Sequence, residues 1–524
     1  TLATAEATEF THAWRSFYAS GKQSAYRQDQ QVTTHPIEVP IPSSANAFDN
    51  IDAITYSKGA STLKQLRHSL GEVAFRRGIH NYLAKNAYQN ATLDDFIDSL
   101  SSASGKNLDK WKKQWLYKAG VNTIQASFSC EAGKITQFDL QQSAEEDFPT
   151  LREQHVQIAL FNVDSNELKL NQKVAVTYDG VITSVEQLIG SQCPDLVYPN
   201  YEDWGFVKVN LDTASFVTAK NNLSKVFDPL LRSMLWQALW DSVRDGQLPL
   251  NEFIETALVN APLEKDYTLL GQALSQINSS LGYLQTIYGA DHKYVQSVSK
   301  RLEQMAWENT LANTDDKNKL RRWFSAYRAV ASSPEALNTL VDILNGKKVI
   351  ENLTISQDNR WAIIRQLSRY QHADIDKLLA SEMQNDNSDT GVKSAIAVEV
   401  IRPNVATKTK WLANIHDTEQ PMPYAKLRTA MRSLYPPEQS ALNEATADAR
   451  IAALVAVDSS HDHVFMRSYA RSMLPEMCTE KSVARLAKAI IDFTDLSAGT
   501  RRALRVAHQD DKRCLVIKSK ISTK

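Results

Sequence analysis

Apolar positions recur with a helical period at both ends of the chain and with a two-residue period between them. Leu63, Leu66 and Leu70 form an i, i+3, i+7 stripe, which predicts a helix starting near Ile54. Thr92 with Asp95 three residues on makes a variant capping box, and Leu93, Phe96, Ile97 and Leu100 supply the apolar face of the helix that follows. Leu108–Leu116 reads as a further helix, with Gly120 as a left-handed stop just beyond it. Pro36, Pro40 and Pro42, between Thr33 and Ser44, remove backbone donors and predict an extended interruption. Thr1–Phe10 is rich in Ala and Glu, carries no starting cap, and reads as a helix already in progress.

The alternation then changes. Ile124, Ala126, Phe128 and Cys130 alternate with Gln125, Ser127 and Ser129, the pattern of a half-buried strand, and Glu131–Lys134 reads as a turn. Strand-like pieces follow at 155–163 and 173–178, and Val207, Val209 and Leu211 close the region. Several short strands in about 90 residues predict a small β-sandwich. Beyond Asp212 the helical period returns and persists to the C-terminus. Ser333-Pro334-Glu335 is a cap with proline at the first helical position; Leu337, Leu340, Val341 and Leu344 make the stripe, and Gly346 ends it. Units of this kind, divided by polar links such as Asp245-Gly246-Gln247 and 384–387, read as stacked helical hairpins curving into a superhelix.

The fold class expected is therefore mainly α with a small β-sandwich. Its regions are 1–120 (helical), 121–212 (β-sandwich) and 213–524 (α-superhelical, HEAT-like), and about three domains suit a chain of 524 residues. Lys plus Arg number 59 against 60 for Asp plus Glu, a formal charge of −1, which argues against a charge-driven nucleic-acid coat or a polybasic membrane binder. No apolar run approaches the roughly 20 residues that cross a bilayer. Four cysteines exclude a Cys-rich scaffold or zinc module. Cys130 could pair with Cys193, and Cys478 with Cys514, in an oxidising compartment such as a periplasm; four buried thiols in a cytosol are the equal alternative.

Candidate chemistry is sparse. There is no H-E-x-x-H, G-x-S-x-G, P-loop or G-x-G-x-x-G. The histidines are scattered, apart from His461-Asp462-His463, which reads as a helix start rather than a metal site because zinc needs three or four ligands. Lys317–Arg328 mixes bases with aromatics, yet Leu320, Phe324, Tyr327 and Ala331 fall at core spacing, leaving the bases on a solvated face. The segment that stands out is 48–61, FDNIDAITYSKGAS. On pattern alone Tyr56 reads as a packed residue, with Gly59 permitting close helix contact.

Pro36-Ile37 through Ala60 resembles the aminopeptidase N family of zinc metallopeptidases (gluzincins), bacterial type. That family shows a Pro-rich entry and then Phe-Asp-x-Ile-x-Tyr-x-Lys-Gly-Ala. Here Phe48, Asp49, Ile51, Tyr56, Lys58, Gly59 and Ala60 follow it, with two extra residues between Ile51 and Ile54. The resemblance continues through Leu70–Leu83, Ala91–Phe96, Trp115-Leu116 and Gly120, then Asp203–Val209 and Leu235–Asp241. Beyond 250 it rests mostly on pattern.

The resemblance implies that Tyr56 is a catalytic residue, donating a hydrogen bond to the oxyanion formed when water attacks the first peptide bond of a peptide substrate. It implies Zn²⁺ in the intact enzyme, held by an H-E-x-x-H pair and a later Glu. The family's spacing places that Glu a few residues before Thr1. This chain is thus expected to carry no metal ligand, to start just past the metal site, and to be inactive alone. No nucleic-acid partner and no transmembrane segment are expected. The competing expectation is a noncatalytic helical-repeat interaction protein of the same descent, which an intact metal motif upstream of Thr1 would exclude.

Overall fold

A computed structural model describes the chain except for residues 11, 44–49, 166 and 523–524. It divides into two compact units, Thr1–Ser242 and Val243–Lys524, with the boundary inside the helix Pro229–Arg244.

The first unit opens with the short helices Leu2–Ala7 and Ala13–Phe17. A π-helical turn, Tyr18–Lys22, leads into the helix Gln23–Asp29. A second π-helical turn, Ile54–Lys58, runs directly into the helix Gly59–Leu70, and Glu72–Lys85, Leu93–Ser104 and Asp109–Trp115 follow. The capping box is formed as expected: Thr92 Oγ1 accepts from the Asp95 N–H (3.2 Å) and the Asp95 carboxylate from the Thr92 N–H (3.0 Å). Ile97 and Leu100 then enter a core with Leu66, Leu108 and Leu116.

Two local expectations are corrected. Leu63 is 36% exposed, and the buried face of Gly59–Leu70 is Ser61, Thr62, Lys64, Gln65 and Leu66. This face buries polar groups because they find partners: Thr62 Oγ1 donates to the Gly59 carbonyl (2.8 Å), and Gln65 Oε1 accepts from the Trp111 indole (3.0 Å). Gly120 is not the helix stop, since the preceding helix ends at Trp115 with Leu116 still helical at its cap. Gly120 has φ +88°, and a Cβ there would lie 2.7 Å from Phe148 Cβ, so the glycine answers backbone conformation and close approach.

Among the described residues seven strands lie between Thr123 and Asn210: β1 (Thr123–Glu131), β2 (Lys134–Ser143), β3 (Gln154–Asp164), β4 (Glu167–Tyr178), β5 (Ile182–Ser184), β6 (Leu196–Tyr198) and β7 (Lys208–Asn210). They form two sheets, ordered β5-β2-β1-β7 and β4-β3-β6; all neighbours are antiparallel except β1 and β7. The turn at Glu131–Lys134 joins β1 to β2 with positive φ at Ala132 (49°) and Gly133 (74°), a hairpin geometry matched to strand twist. β2, absent from the alternation reading, buries Ile135, Phe138 and Leu140. Cys130 and Cys193 are disulfide-bonded.

Apart from connecting turns, the second unit is helical. Lys293–Ala312 packs on Lys317–Val330, and Glu480–Asp492 on Ala498–Lys520. Helix Lys317–Val330 buries Leu320, Phe324 and Tyr327, with Ala331 at its C-cap, so the mixed basic segment is a core-facing helix. Ser333 caps Pro334–Leu344 through the Ala336 N–H (3.2 Å) while Leu337, Leu340, Val341 and Leu344 are buried. Here Glu303 reinforces the cap: its carboxylate accepts the Ser332 and Ser333 N–H groups (2.6 and 2.9 Å) and both hydroxyls. Cys478 and Cys514 form the second disulfide.

Candidate functional site

Tyr56 lies on the π-helical turn Ile54–Lys58 and its side chain is 66% exposed. Turns of this kind are rare and occur often at functional sites. This one is fastened at both ends. At its start Asp52 Oδ1 accepts the N–H groups of Ile54 (2.9 Å) and Thr55 (3.1 Å). Thr55 Oγ1 donates to the Asn50 carbonyl (2.6 Å), and the Ala53 N–H donates to Gln28 Oε1 (2.9 Å). At its end Lys58 is fully buried, 2.8 Å from Asp29 Oδ2, and donates to the Gly120 carbonyl (3.2 Å). Asp29 Oδ1 in turn accepts from the Gly120 N–H (3.1 Å) and Thr34 Oγ1 (2.6 Å).

Burial pulls the Lys58 pKa down, Asp29 opposes that shift, and nearby Arg152 adds to it. Arg152 is buried and spends its donors on the carbonyls of Gln114, Lys118 and Ala119 and on Asn122 Oδ1, at 2.9–3.0 Å. The loop that carries Gly120 is thereby held to Lys58. In front of the turn, His35 Nε2 lies 3.0 Å from Asp52 Oδ2 and its Nδ1 2.7 Å from the Pro36 carbonyl. Both partners accept, so both contacts are hydrogen bonds only when the ring is protonated on both nitrogens. Burial alone would lower the His35 pKa, but the Asp52 hydrogen bond and the Pro36 carbonyl outweigh it and raise it.

The other π-helical turn supports the first. An added Cβ at Gly21 would lie 3.3 Å from Ser57 Oγ, so the bare glycine lets the two turns approach closely. This turn also ends in a fully buried lysine. Lys22 Nζ donates to the Gly205 carbonyl (2.6 Å) and to Asp203 Oδ1 (2.5 Å). Lys64 donates to the carbonyls of Asp203 (2.7 Å) and Glu202 (3.1 Å), with its ammonium 4.7 Å from the Trp14 ring centre and 5.1 Å from that of Trp204. Glu202 and Asp203 adopt left-handed backbone (φ 61° and 58°), a cost that these lysine contacts hold in place. Burial brings the Lys22 pKa down to about 8 against the pull of Asp203.

The structure thus places Tyr56, Lys58 and Gly59 on one continuous segment. A Cβ at Gly59 would meet only Ile37 Cγ2, at 3.9 Å, an ordinary contact, so close helix packing does not require the glycine. Phe48 and Asp49 lie outside the described residues. Sequence reasoning missed Gln28, Asp29, His35 and Asp52. Of these only Asp52, just ahead of the helical start, carried a local capping signal.

His461 does not form a metal site with His463. Its Nδ1 lies 3.1 Å from the Val457 carbonyl, its ring stacks on Phe465 at 3.8 Å, and Asp462 caps the helix His463–Met473. Among the described residues no three His, Cys, Asp or Glu side chains gather as a metal would need. No described helix is long and apolar enough to cross a membrane.

Residues 196–513 match the family model described as ERAP1-like C-terminal domain, and residues 2–115 match the Peptidase family M1 domain. The chain belongs to the aminopeptidase N family of M1 peptidases, the gluzincins. It is 28% identical over 98% of its length to aminopeptidase N of Streptomyces lividans. It is 26% identical over 56% of its length to tricorn protease-interacting factor F2 of Thermoplasma volcanium, and 25% over 62% to leucyl aminopeptidase of Saccharolobus solfataricus. It spans 60%, 36% and 38% of those three proteins, respectively.

Proposed function

We propose that this chain is the C-terminal part of a zinc-dependent aminopeptidase that releases N-terminal residues from peptides, organised as 1–120, 121–212 and 213–524. The observation that carries this reading is the exposed Tyr56 side chain on a turn held at both ends by buried or capped partners. A phenol donates a hydrogen bond without bringing a formal charge, which suits an oxygen that becomes negative only as the tetrahedral intermediate forms. The zinc of the complete protein would polarise the scissile carbonyl and activate water. This chain's own contribution is to hold Tyr56: Asp52 and Gln28 set the start of the turn, and the Lys58–Asp29 pair sets its end. Such anchoring matters because a donor helps in the transition state only if it need not be reorganised there.

In the complete enzyme Tyr56→Phe is expected to lower kcat by about 10²–10³ with zinc content unchanged. A variant with near-normal kcat would remove Tyr56 from the mechanism. For the 524-residue chain alone, we expect no stoichiometric catalytic zinc and no hydrolysis of an amino-acid arylamide, because its sequence contains no H-E-x-x-H. Metal analysis and an arylamide assay on the purified chain check this, and appreciable turnover would overturn it.

A further inference from the structure

The helical second unit contains an open concavity of about 430 Å³ that the aminopeptidase reading does not use. It is within the size range of small-molecule sites. Four arginines line it, Arg328, Arg365, Arg369 and Arg432, and no acidic side chain does. They come from three helices: Lys317–Val330 supplies the first, Gln357–Arg369 the next two, and Tyr424–Leu434 the last.

The charges are unequally answered. Arg369 makes a two-pronged pair with Glu438, with Nε 2.6 Å from Oε1 and Nη2 on Oε2. Among the described residues Arg328 bonds to the neutral amide oxygen of Asn359 and to no carboxylate. Arg365 and Arg432 have no hydrogen-bond or ion-pair partner among the described residues. Burial lowers the pKa of Arg328, and Arg365 lowers it further. Arg365 is lowered in the same way by burial and then by Arg369. Like charges gathered in a concavity repel, and a guanidinium presents a planar fork of donors that fits carboxylate or phosphate oxygens. Tyr370 and Tyr435 add ring faces and hydroxyls to the wall, and Pro436, Leu281 and Ile401 add apolar surface.

We propose that this concavity is a binding site for a small organic anion carrying at least two anionic groups, either a polycarboxylate or a phosphate compound. Arg365 and Arg432 are the anion-gripping residues, and Arg328 and Arg369 supply the supporting field. The site belongs to the second unit alone, so it stands or falls independently of Tyr56.

The experiment is isothermal calorimetry and thermal unfolding of the 524-residue chain with citrate and with pyrophosphate, against acetate and chloride at matched ionic strength. The expected result is saturable 1:1 binding of citrate or pyrophosphate, with a melting temperature that rises with ligand concentration. Which of the two binds more tightly separates the carboxylate source from the phosphate source. The double variant Arg365→Gln/Arg432→Gln is expected to bind at least about tenfold more weakly, since it removes two charge-assisted contacts. Arg301→Gln, which breaks a surface pair with Glu255 outside this concavity, is expected to bind normally. Absence of saturable binding by either multivalent anion would overturn the proposal, as would equal binding by the folded double variant. Neither side chain makes a hydrogen bond or ion pair among the described residues, and a cooperative melt of the double variant without added anion checks that it is folded.

Discussion

Two sites, one in each unit, treat positive charge in opposite ways. In the first, Lys22, Lys58 and Lys64 are all buried, and each ammonium is met by a carboxylate together with backbone carbonyls. In the second, Arg328, Arg365 and Arg432 face a concavity with no carboxylate paired to any of them among the described residues. Burying an ammonium is tolerable only when its partners replace water, so the lysines serve to hold segments in place. A guanidinium left facing an opening retains its capacity to bind. The difference separates charge spent on architecture from charge kept for a ligand.

The largest effect should come from breaking the first kind. Lys58→Ala leaves Asp29 buried without its cation and is expected to cost about 3–5 kcal/mol in chemical denaturation. Adding Asp29→Leu should recover only part of this, because Asp29 also accepts from the Gly120 N–H and from Thr34. Full recovery would mean that the pair does not organise the Tyr56 turn.

A smaller, pH-dependent effect is expected at His35. Its pKa is raised above 6.5 in the fold, so the stabilisation is complete below about pH 6.5 and is lost as pH rises through the folded value. The Asp52 pKa is lowered from 3.8, with burial opposing and the His35 hydrogen bond prevailing. Its contribution is therefore present above that value and lost as pH falls through the folded one. The pair should stabilise most between these limits, by about 1 kcal/mol. Melting curves of the wild type and His35→Gln from pH 5 to 8 should converge as pH rises; a constant gap would show that the ring contributes by shape alone.

The smallest effect should come from the second kind of charge. Arg365→Gln without added anion is expected to change stability by no more than about 0.5 kcal/mol, and toward greater stability, since it relieves repulsion and removes no bond. A loss comparable to that of Lys58→Ala would show that Arg365 is structural and erase the contrast between the two sites.

Local features of the chain were legible where neighbours in sequence are also partners in space. Thr92 and Asp95 cap each other within one turn, and Ser333-Pro334 starts its helix from its own residues. The stripe of Leu320, Phe324 and Tyr327 foretold a buried face because apolar side chains need only one another. The same reasoning failed for Gly59–Leu70, where buried Lys64 and Gln65 depend on partners elsewhere in the chain: Asp203, the Glu202 carbonyl and Trp111. Tyr56 was legible as a motif residue, but its support was not: Gln28, Asp29 and Gly120 lie far from it in sequence and reach its turn only in the fold.

The sequence by itself determined which segments are helix or strand in outline, that the β region lies between helical ones, and that Tyr56 belongs to a recognisable motif. Periodicity and capping are short-range and act before the chain has folded on itself. Only the tertiary structure decided which charges are answered. It brought Asp29 to Lys58 and Asp203 to Lys22, and it collected Arg328, Arg365, Arg369 and Arg432 around one concavity. Electrostatic partnership depends on distance and burial, and neither is written in the spacing of residues along a chain.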